Sequence, residues 1–207
     1  MAIEAVVFDI GNVLVEWHPT RPFDRLLGRA AREALFARVD FAAMNTRIDM
    51  GADFELEIQA LAAAHPDVRD QVLIWKTHAL EMFSPEIPRS TALLRALKAR
   101  RVPVFALTNF GDGTFASAQA FYPVLAEFDR CFVSGRIGAM KPDPAIYAHL
   151  ETETGVAPDR LLFIDDRPQN VAAAEARGWQ GHIFDGPEGL AARLLADGLL
   201  TAEDTLA

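Results

Sequence analysis

Cysteine is nearly absent: Cys131 is the only one in 207 residues. No disulfide closes within the chain and no cysteine metal cluster is possible, a usage that suits the cytosol. A basic cluster is missing too. Lys and Arg number 20 against 29 Asp and Glu, for a net charge of -9. That argues against a nucleic-acid backbone or an anionic membrane surface as partner. It does not argue against phosphate, because one lysine in a pocket outweighs the global sign locally. No apolar run is long enough to span a membrane, and Glu4 interrupts the N-terminal one short of a signal peptide. What remains is the composition of a soluble globular protein, 51% apolar and 24% charged, with length for one good core plus a modest insertion.

The stretch that organises the rest is Ala5-Val6-Val7-Phe8-Asp9-Ile10-Gly11-Asn12-Val13-Leu14. Ala5 to Phe8 has the length and β-branched content of a strand buried on both faces. Gly11 and Asn12 break it, since both tolerate turn geometry that other residues resist. Asp9 therefore stands at the carboxyl end of a buried strand, where open α/β sheets bind their ligands. The plainer reading is an aspartate that caps the turn.

From about Glu16 to Pro88 the texture is helical, with no convincing strand. Arg21 to Val39 reads as one or two amphipathic helices, Phe54 to Ala64 as another, and Val68 to Phe83 as a third. His65-Pro66-Asp67 separates the last two. Beyond Pro88 strand and helix alternate. Helices are predicted over 90–101, 113–128 with a break near Pro123, 144–154, 170–177 and 189–195. Strands are predicted over 102–107, 131–133, 161–164 and 181–184. Asp143-Pro144 supplies a cap and a first-turn proline, and Gly155 a stop. This alternation means a parallel sheet with helices on both faces.

Strand after strand ends in chemistry: Asp9, then Thr108-Asn109, then Asp165-Asp166, with Lys141 in the loop before a helix. A carboxylate nucleophile makes sense at such an edge, attacking phosphorus or carbon to form a covalent intermediate that water hydrolyses. Adjacent carboxylates repel, and Mg2+ would relieve that beside a substrate phosphate. Hydroxyl, amide and ammonium groups would hold the oxygens of a transferring group. Singly, each has a plainer role: Thr108 bonded to backbone, Lys141 solvated, Asp165-Asp166 capping the next helix.

The four segments together resemble the haloacid dehalogenase (HAD) superfamily, in its branch with a helical cap after the first strand. Phe8 to Leu14 matches the first motif, Leu107-Thr108-Asn109 the second, Lys141-Pro142-Asp143-Pro144-Ala145-Ile146-Tyr147 the third, and Phe163-Ile164-Asp165-Asp166-Arg167-Pro168-Gln169-Asn170 the fourth. The resemblance implies a Rossmann-like core from residues 1–15 and 89–207, and an α-helical cap from 16–88. It implies Asp9 as nucleophile, Lys141 as its charge partner, and Thr108 and Asn109 on the substrate's phosphoryl oxygens. It also implies Mg2+ held by Asp9, the Gly11 carbonyl and Asp166, with Asp165 direct or through water.

One departure matters. Phosphatases of this superfamily usually carry a second aspartate, the general acid, at the position of Gly11. Three readings stay open: an Mg2+-dependent phosphatase of small phosphate esters, a 2-haloacid dehalogenase, or a ligand-binding member. The Asp-x-Gly-Asn arrangement resembles a group acting on α-glucose 1-phosphate, whose leaving hydroxyl is comparatively acidic. The acidic fourth motif favours the phosphatase, since superfamily dehalogenases work without metal. Gly11 is expected to need glycine's backbone freedom. In the cap, His18 is either a proton source or a turn residue before Pro19, the preferred reading. Asn45, Arg47 and Trp75 are candidate substrate contacts.

Overall fold

The structure, a computed structural model, describes residues 2–205. Among these residues are seven strands: β1 (Ala5–Phe8), β2 (Val15–Trp17), β3 (Phe83–Glu86), β4 (Val104–Thr108), β5 (Arg130–Val133), β6 (Leu161–Asp165) and β7 (Gln180–Ile183). Five of them form a parallel sheet in the order β5-β4-β1-β6-β7. The chain is thus an α/β protein with a Rossmann-like sheet, and β1 lies at its centre. Val7 pairs with Phe105 on one side and Phe163 on the other.

Alternation along β1 divides the core. Val6 and Phe8 face Leu93, Leu94 and Leu97 of the helix Pro88–Ala99, together with Phe115. Ala5 and Val7 face Ile146, Tyr147 and Leu150 of the helix Pro144–Thr154, together with Trp179. All four β1 residues are fully buried, which is why this strand reads as an unbroken apolar run. The helix Pro144–Thr154 starts on Asp143, whose side chain accepts from Ala145 N–H, and ends on left-handed Gly155.

The segment between β2 and β3 is helical, as its periodicity predicts, and holds its own apolar cluster. Phe23, Phe41 and Trp75 form its centre, with Phe41 stacked on Trp75 at 5.3 Å between ring centroids. Burying each such ring contributes roughly 1.5–3 kcal/mol. Two expectations fail here. First, β2 and β3 pair antiparallel, Val15 with Glu86 and Trp17 with Phe83, where no strand was expected. Each is too short for a periodic signal, and their pairing joins the two ends of the insertion. Second, the helix expected over 68–83 is broken into Arg69–Val72, Ile74–Thr77 and Ala79–Met82. At the second break the Thr77 hydroxyl bonds back to the Leu73 carbonyl and contacts the His78 ring, the local competition that bends helices. Among the described residues, no helix is long and apolar enough to cross a membrane.

The insertion meets the sheet at the end of the helix Phe41–Asp49. Ser134, just past β5, donates from its hydroxyl to the Asp49 carbonyl at 2.5 Å. Ile48 packs so closely on Gly111 that an added Cβ would stand 2.5 Å from its Cγ2. Only glycine lets the backbone after β4 approach this helix.

Candidate active site

Parallel strands deliver their C-terminal ends to one edge, so the polar residues that end them meet there. Asp9 follows β1 directly. Its N–H donates to the Ile164 carbonyl at 2.8 Å. Its Oδ1 accepts from Ile10 N–H at 2.7 Å and faces Lys141 Nζ at 2.9 Å. The same ammonium reaches Asp165 Oδ2 at 2.6 Å. Asp9 Oδ2 has no hydrogen-bond partner among the described residues.

Lys141 is only 2% exposed, so it is not a solvated surface lysine. Burial alone would lower its pKa, but Asp9 and Asp165 outweigh that and hold it above the ordinary value. Burial also pushes the Asp9 carboxyl up to about 7, against the pull of Lys141 and with the push of Asp165. The lysine is held from its main chain. Asn109 Nδ2 donates to the Lys141 carbonyl at 2.9 Å, and Lys141 N–H donates to Asn109 Oδ1 at 2.8 Å. The Asn109 amide, expected on a substrate oxygen, is therefore a clamp on the lysine loop. The expectation missed it because the partner lies 32 residues away. The Thr108 hydroxyl lines the cleft and has no side-chain hydrogen bond among the described residues.

The acidic pair divides. Asp165 is fully buried. Its Oδ1 accepts from Arg167 N–H at 2.8 Å and its Oδ2 from Lys141, and Asn170 Nδ2 lies 3.0 Å from both oxygens. Asp166 is half-buried and lines the cleft. Its Oδ2 accepts from Asn12 Nδ2 at 2.9 Å, and Asn12 Oδ1 accepts from Trp17 N–H at 2.8 Å. Asp9, Asp165 and Asp166 each offer an oxygen within 4.8 Å of the others. Three carboxylates against one ammonium leave a deficit of positive charge that a divalent cation fits. Asn170 Oδ1, buried in the same wall, also lacks a partner among the described residues.

Gly11 does not use glycine's freedom, contrary to expectation. Its φ is not positive, and an added Cβ would meet Trp17 Cβ at an ordinary 3.7 Å. The left-handed residue of the turn is Asn12, at φ 57. Asparagine tolerates that conformation better than most residues.

Between this edge and the helical insertion lies a cleft of about 1210 Å³. Asp9, Thr108, Lys141 and Asp166 form its floor, and Asn45, Asp49 and Trp75 lie on the facing wall. Arg47 does not reach it and instead pairs with Glu57 at 2.7 Å. His18 also stays outside, half-exposed beside Glu16 at 3.4 Å, in the turn before Pro19. Asn12 was read from the sequence only as a turn residue, and Asn170 and Asp49 were not singled out. The first two stand inside the motif segments, so their positions carried a signal. Asp49 sits in an ordinary helical pattern and carried none.

A family model described as haloacid dehalogenase-like hydrolase matches residues 3–178. A sesquiterpene phosphatase of Aspergillus oryzae is 29% identical over 189 residues, covering 88% of this chain and 90% of that one. A phosphoglycolate phosphatase of Rhodospirillum rubrum is 30% identical over 190 residues, covering 84% of this chain and 76% of that one. Among solved structures, a predicted HAD-like family hydrolase from Porphyromonas gingivalis aligns with a TM-score of 0.68 at 24% identity, over 94% of this chain and 98% of that one. With one sheet edge gathering all four motif segments and the family model spanning most of its length, the chain belongs to the haloacid dehalogenase-like hydrolases.

Proposed function

We propose that this hydrolase is an Mg2+-dependent phosphatase of small phosphate esters, acting through an aspartyl-phosphate on Asp9. The observation that carries the reading is the buried Asp9 carboxylate: one oxygen is fixed by Lys141 and Ile10, and the other has no partner among the described residues and belongs to a residue that lines the cleft. The free oxygen is the nucleophile. Lys141, the Thr108 hydroxyl and the Asn109 N–H, which donates to no backbone carbonyl among the described residues, hold the phosphoryl oxygens where charge gathers in the transition state. Asp165 keeps the ammonium charged and in place.

Asp9, the Gly11 carbonyl and Asp166 would hold Mg2+, with Asp165 behind them. The ion supplies positive charge to the phosphoryl group and relieves the carboxylate cluster. This charge balance favours phosphate over a haloacid, which the uncompensated acidic cluster would repel. Both curated relatives above are named as phosphatases. Residues 16–88 act as the cap that closes the cleft and sets specificity. A sugar 1-phosphate is a fitting substrate, because its anomeric leaving oxygen needs less help than an ordinary alcohol.

The test is phosphate release from p-nitrophenyl phosphate and a panel of sugar phosphates, with Mg2+ or with chelator, alongside chloride release from 2-haloacids. Mg2+-dependent phosphate release is expected, abolished in Asp166→Ala. Chloride release without metal, in place of phosphate release, would overturn the reading.

A further inference from the structure

An alcohol leaving from phosphorus takes the electron pair of the broken P–O bond and needs a proton. Gly11 has no side chain to give one. In an in-line displacement the leaving oxygen lies opposite the attacking one. With Asp9 on the floor, the leaving oxygen points away from Asp9 toward the insertion, and with no side chain at Gly11 that wall is where a donor is sought. Its acidic side chains are few. Glu55 is paired with Lys76 at 2.5 Å and Glu81 with Arg25 at 2.7 Å. Asp53 caps a helix by accepting from Leu56 N–H at 2.8 Å. Of these acids, half-buried Asp49 is the one that has neither a cation partner nor a capping role among the described residues.

Resting on the phosphatase reading, we propose that Asp49 is the general acid of this enzyme, supplied from the insertion in place of the missing aspartate at Gly11. Its position supports the role. The helix that ends on Asp49 is fastened to the sheet edge by Ser134 and Ile48, and its carboxylate faces the N–H of Gly111, two residues beyond Asn109. Asn45, one turn earlier, donates from Nδ2 to Asp49 Oδ2 at 2.9 Å and orients the group. Charged residues on the packed elements look elsewhere: Arg47 to Glu57, and Arg136 to Asp112. Burial accordingly pushes the Asp49 carboxyl up to about 7, the Gly111 N–H lowering it only in part. A catalytic acid works best with its pKa near the working pH.

The proton balance closes over the two steps. Asp9 attacks phosphorus, the P–O bond to the alcohol breaks, and the alcohol oxygen takes the Asp49 proton. Asp49, now a carboxylate, accepts a proton from the water that attacks the aspartyl-phosphate. The P–O bond to Asp9 breaks, inorganic phosphate leaves, and Asp49 is again a carboxylic acid.

The experiment compares kcat/KM, which reports on the steps through phosphoryl transfer to Asp9, for p-nitrophenyl phosphate and a primary alkyl phosphate. A nitrophenolate leaves without a proton. Asp49→Asn should therefore lower kcat/KM on the alkyl ester by about 100-fold or more and change it by less than roughly threefold on the aryl ester. Equal losses on both esters, or none on the alkyl ester, would overturn the assignment and leave the phosphatase reading intact. No phosphate release from either ester by the native enzyme would remove both. The native enzyme gives a second measurement that does not depend on the variant folding. Its kcat/KM on the alkyl ester should fall above about pH 7 relative to the aryl ester, as Asp49 ionises. A pH-independent ratio of the two would also overturn the proposal.

Discussion

Two carboxylates, Asp9 buried and Asp49 half-buried, face the cleft from opposite sides, and loss of solvent pushes both up to about 7. Their company differs. Asp9, on the sheet edge, has an ammonium at 2.9 Å that is itself held by a second carboxylate and by an asparagine clamp on its backbone. Asp49, on the insertion, has one amide and one backbone N–H. The ammonium fixes one Asp9 oxygen and leaves the other to attack, so on that wall the ion pair orients a nucleophile. Asp49 has no cation to orient it and holds a proton it can give near neutral pH, so on that wall burial makes a proton reservoir.

The largest way to break the comparison is to remove the nucleophile. Asp9→Asn keeps the shape of the side chain but not its nucleophilic oxygen. Phosphate release should drop by on the order of 10,000-fold or more, with an unchanged circular dichroism spectrum. Near-native turnover in this variant would show that Asp9 is not the attacking group.

Lys141→Met makes the sheet edge resemble the insertion by leaving Asp9 and Asp165 without their cation. Breaking a buried pair from one side costs about 3–5 kcal/mol, read as a lower midpoint in urea at pH 8. The deficit should shrink at pH 5, because Asp9 is then protonated and no longer a buried charge. A deficit equal at both pH values would mean that Lys141 contributes packing and not charge balance. Asn109→Ala acts on the same assembly more gently. It removes two hydrogen bonds to the Lys141 main chain, worth about 1–3 kcal/mol together. It should lower kcat more than it raises KM, because the lysine loop moves while the cleft stays open.

The same contrast governs what the sequence revealed. The sheet edge was legible because its geometry is dictated by topology: a buried apolar strand has to end somewhere, and parallel strands end together. Asp9, Thr108 and Asp165-Asp166 were visible as polar punctuation after apolar runs, and Lys141 as a lysine in the loop before a helix. The roles within that group were less visible. That Asn109 clamps Lys141 and that Asp165 supports it depends on side-chain partners in distant loops. The insertion offered only helical periodicity, which tells which residues face its own cluster and nothing of which helix end touches the sheet. Asp49 became distinctive only through Ile48, Gly111 and Ser134, contacts that no window along the chain contains. The β2–β3 ribbon escaped notice for the same reason, being made by residues at the two ends of the insertion.

The smallest expected effect is also the cleanest on Asp49, because it needs no substrate. Its carboxyl titrates near 3.8 in the unfolded chain and near 7 in the fold. Between those values the folded state binds more protons than the unfolded one, so stability falls as pH rises through that window. The stabilising contribution of the bound proton is fully present below about pH 4 and gone above about pH 7. Asparagine has no proton to lose, so Asp49→Asn should be comparatively more stable than the native chain at high pH and gain nothing at low pH. One side of the group faces the cleft, and the full linkage energy is discounted for that. A gain of about 1–2 kcal/mol at pH 8 corresponds to a rise of about 2–8 °C in Tm. Thermal melts of both proteins at pH 4.5, 6 and 8 should show the difference growing with pH. A Tm difference for Asp49→Asn that is flat across this range would mean that Asp49 is already ionised at neutral pH, and the contrast between the two walls of the cleft would not hold.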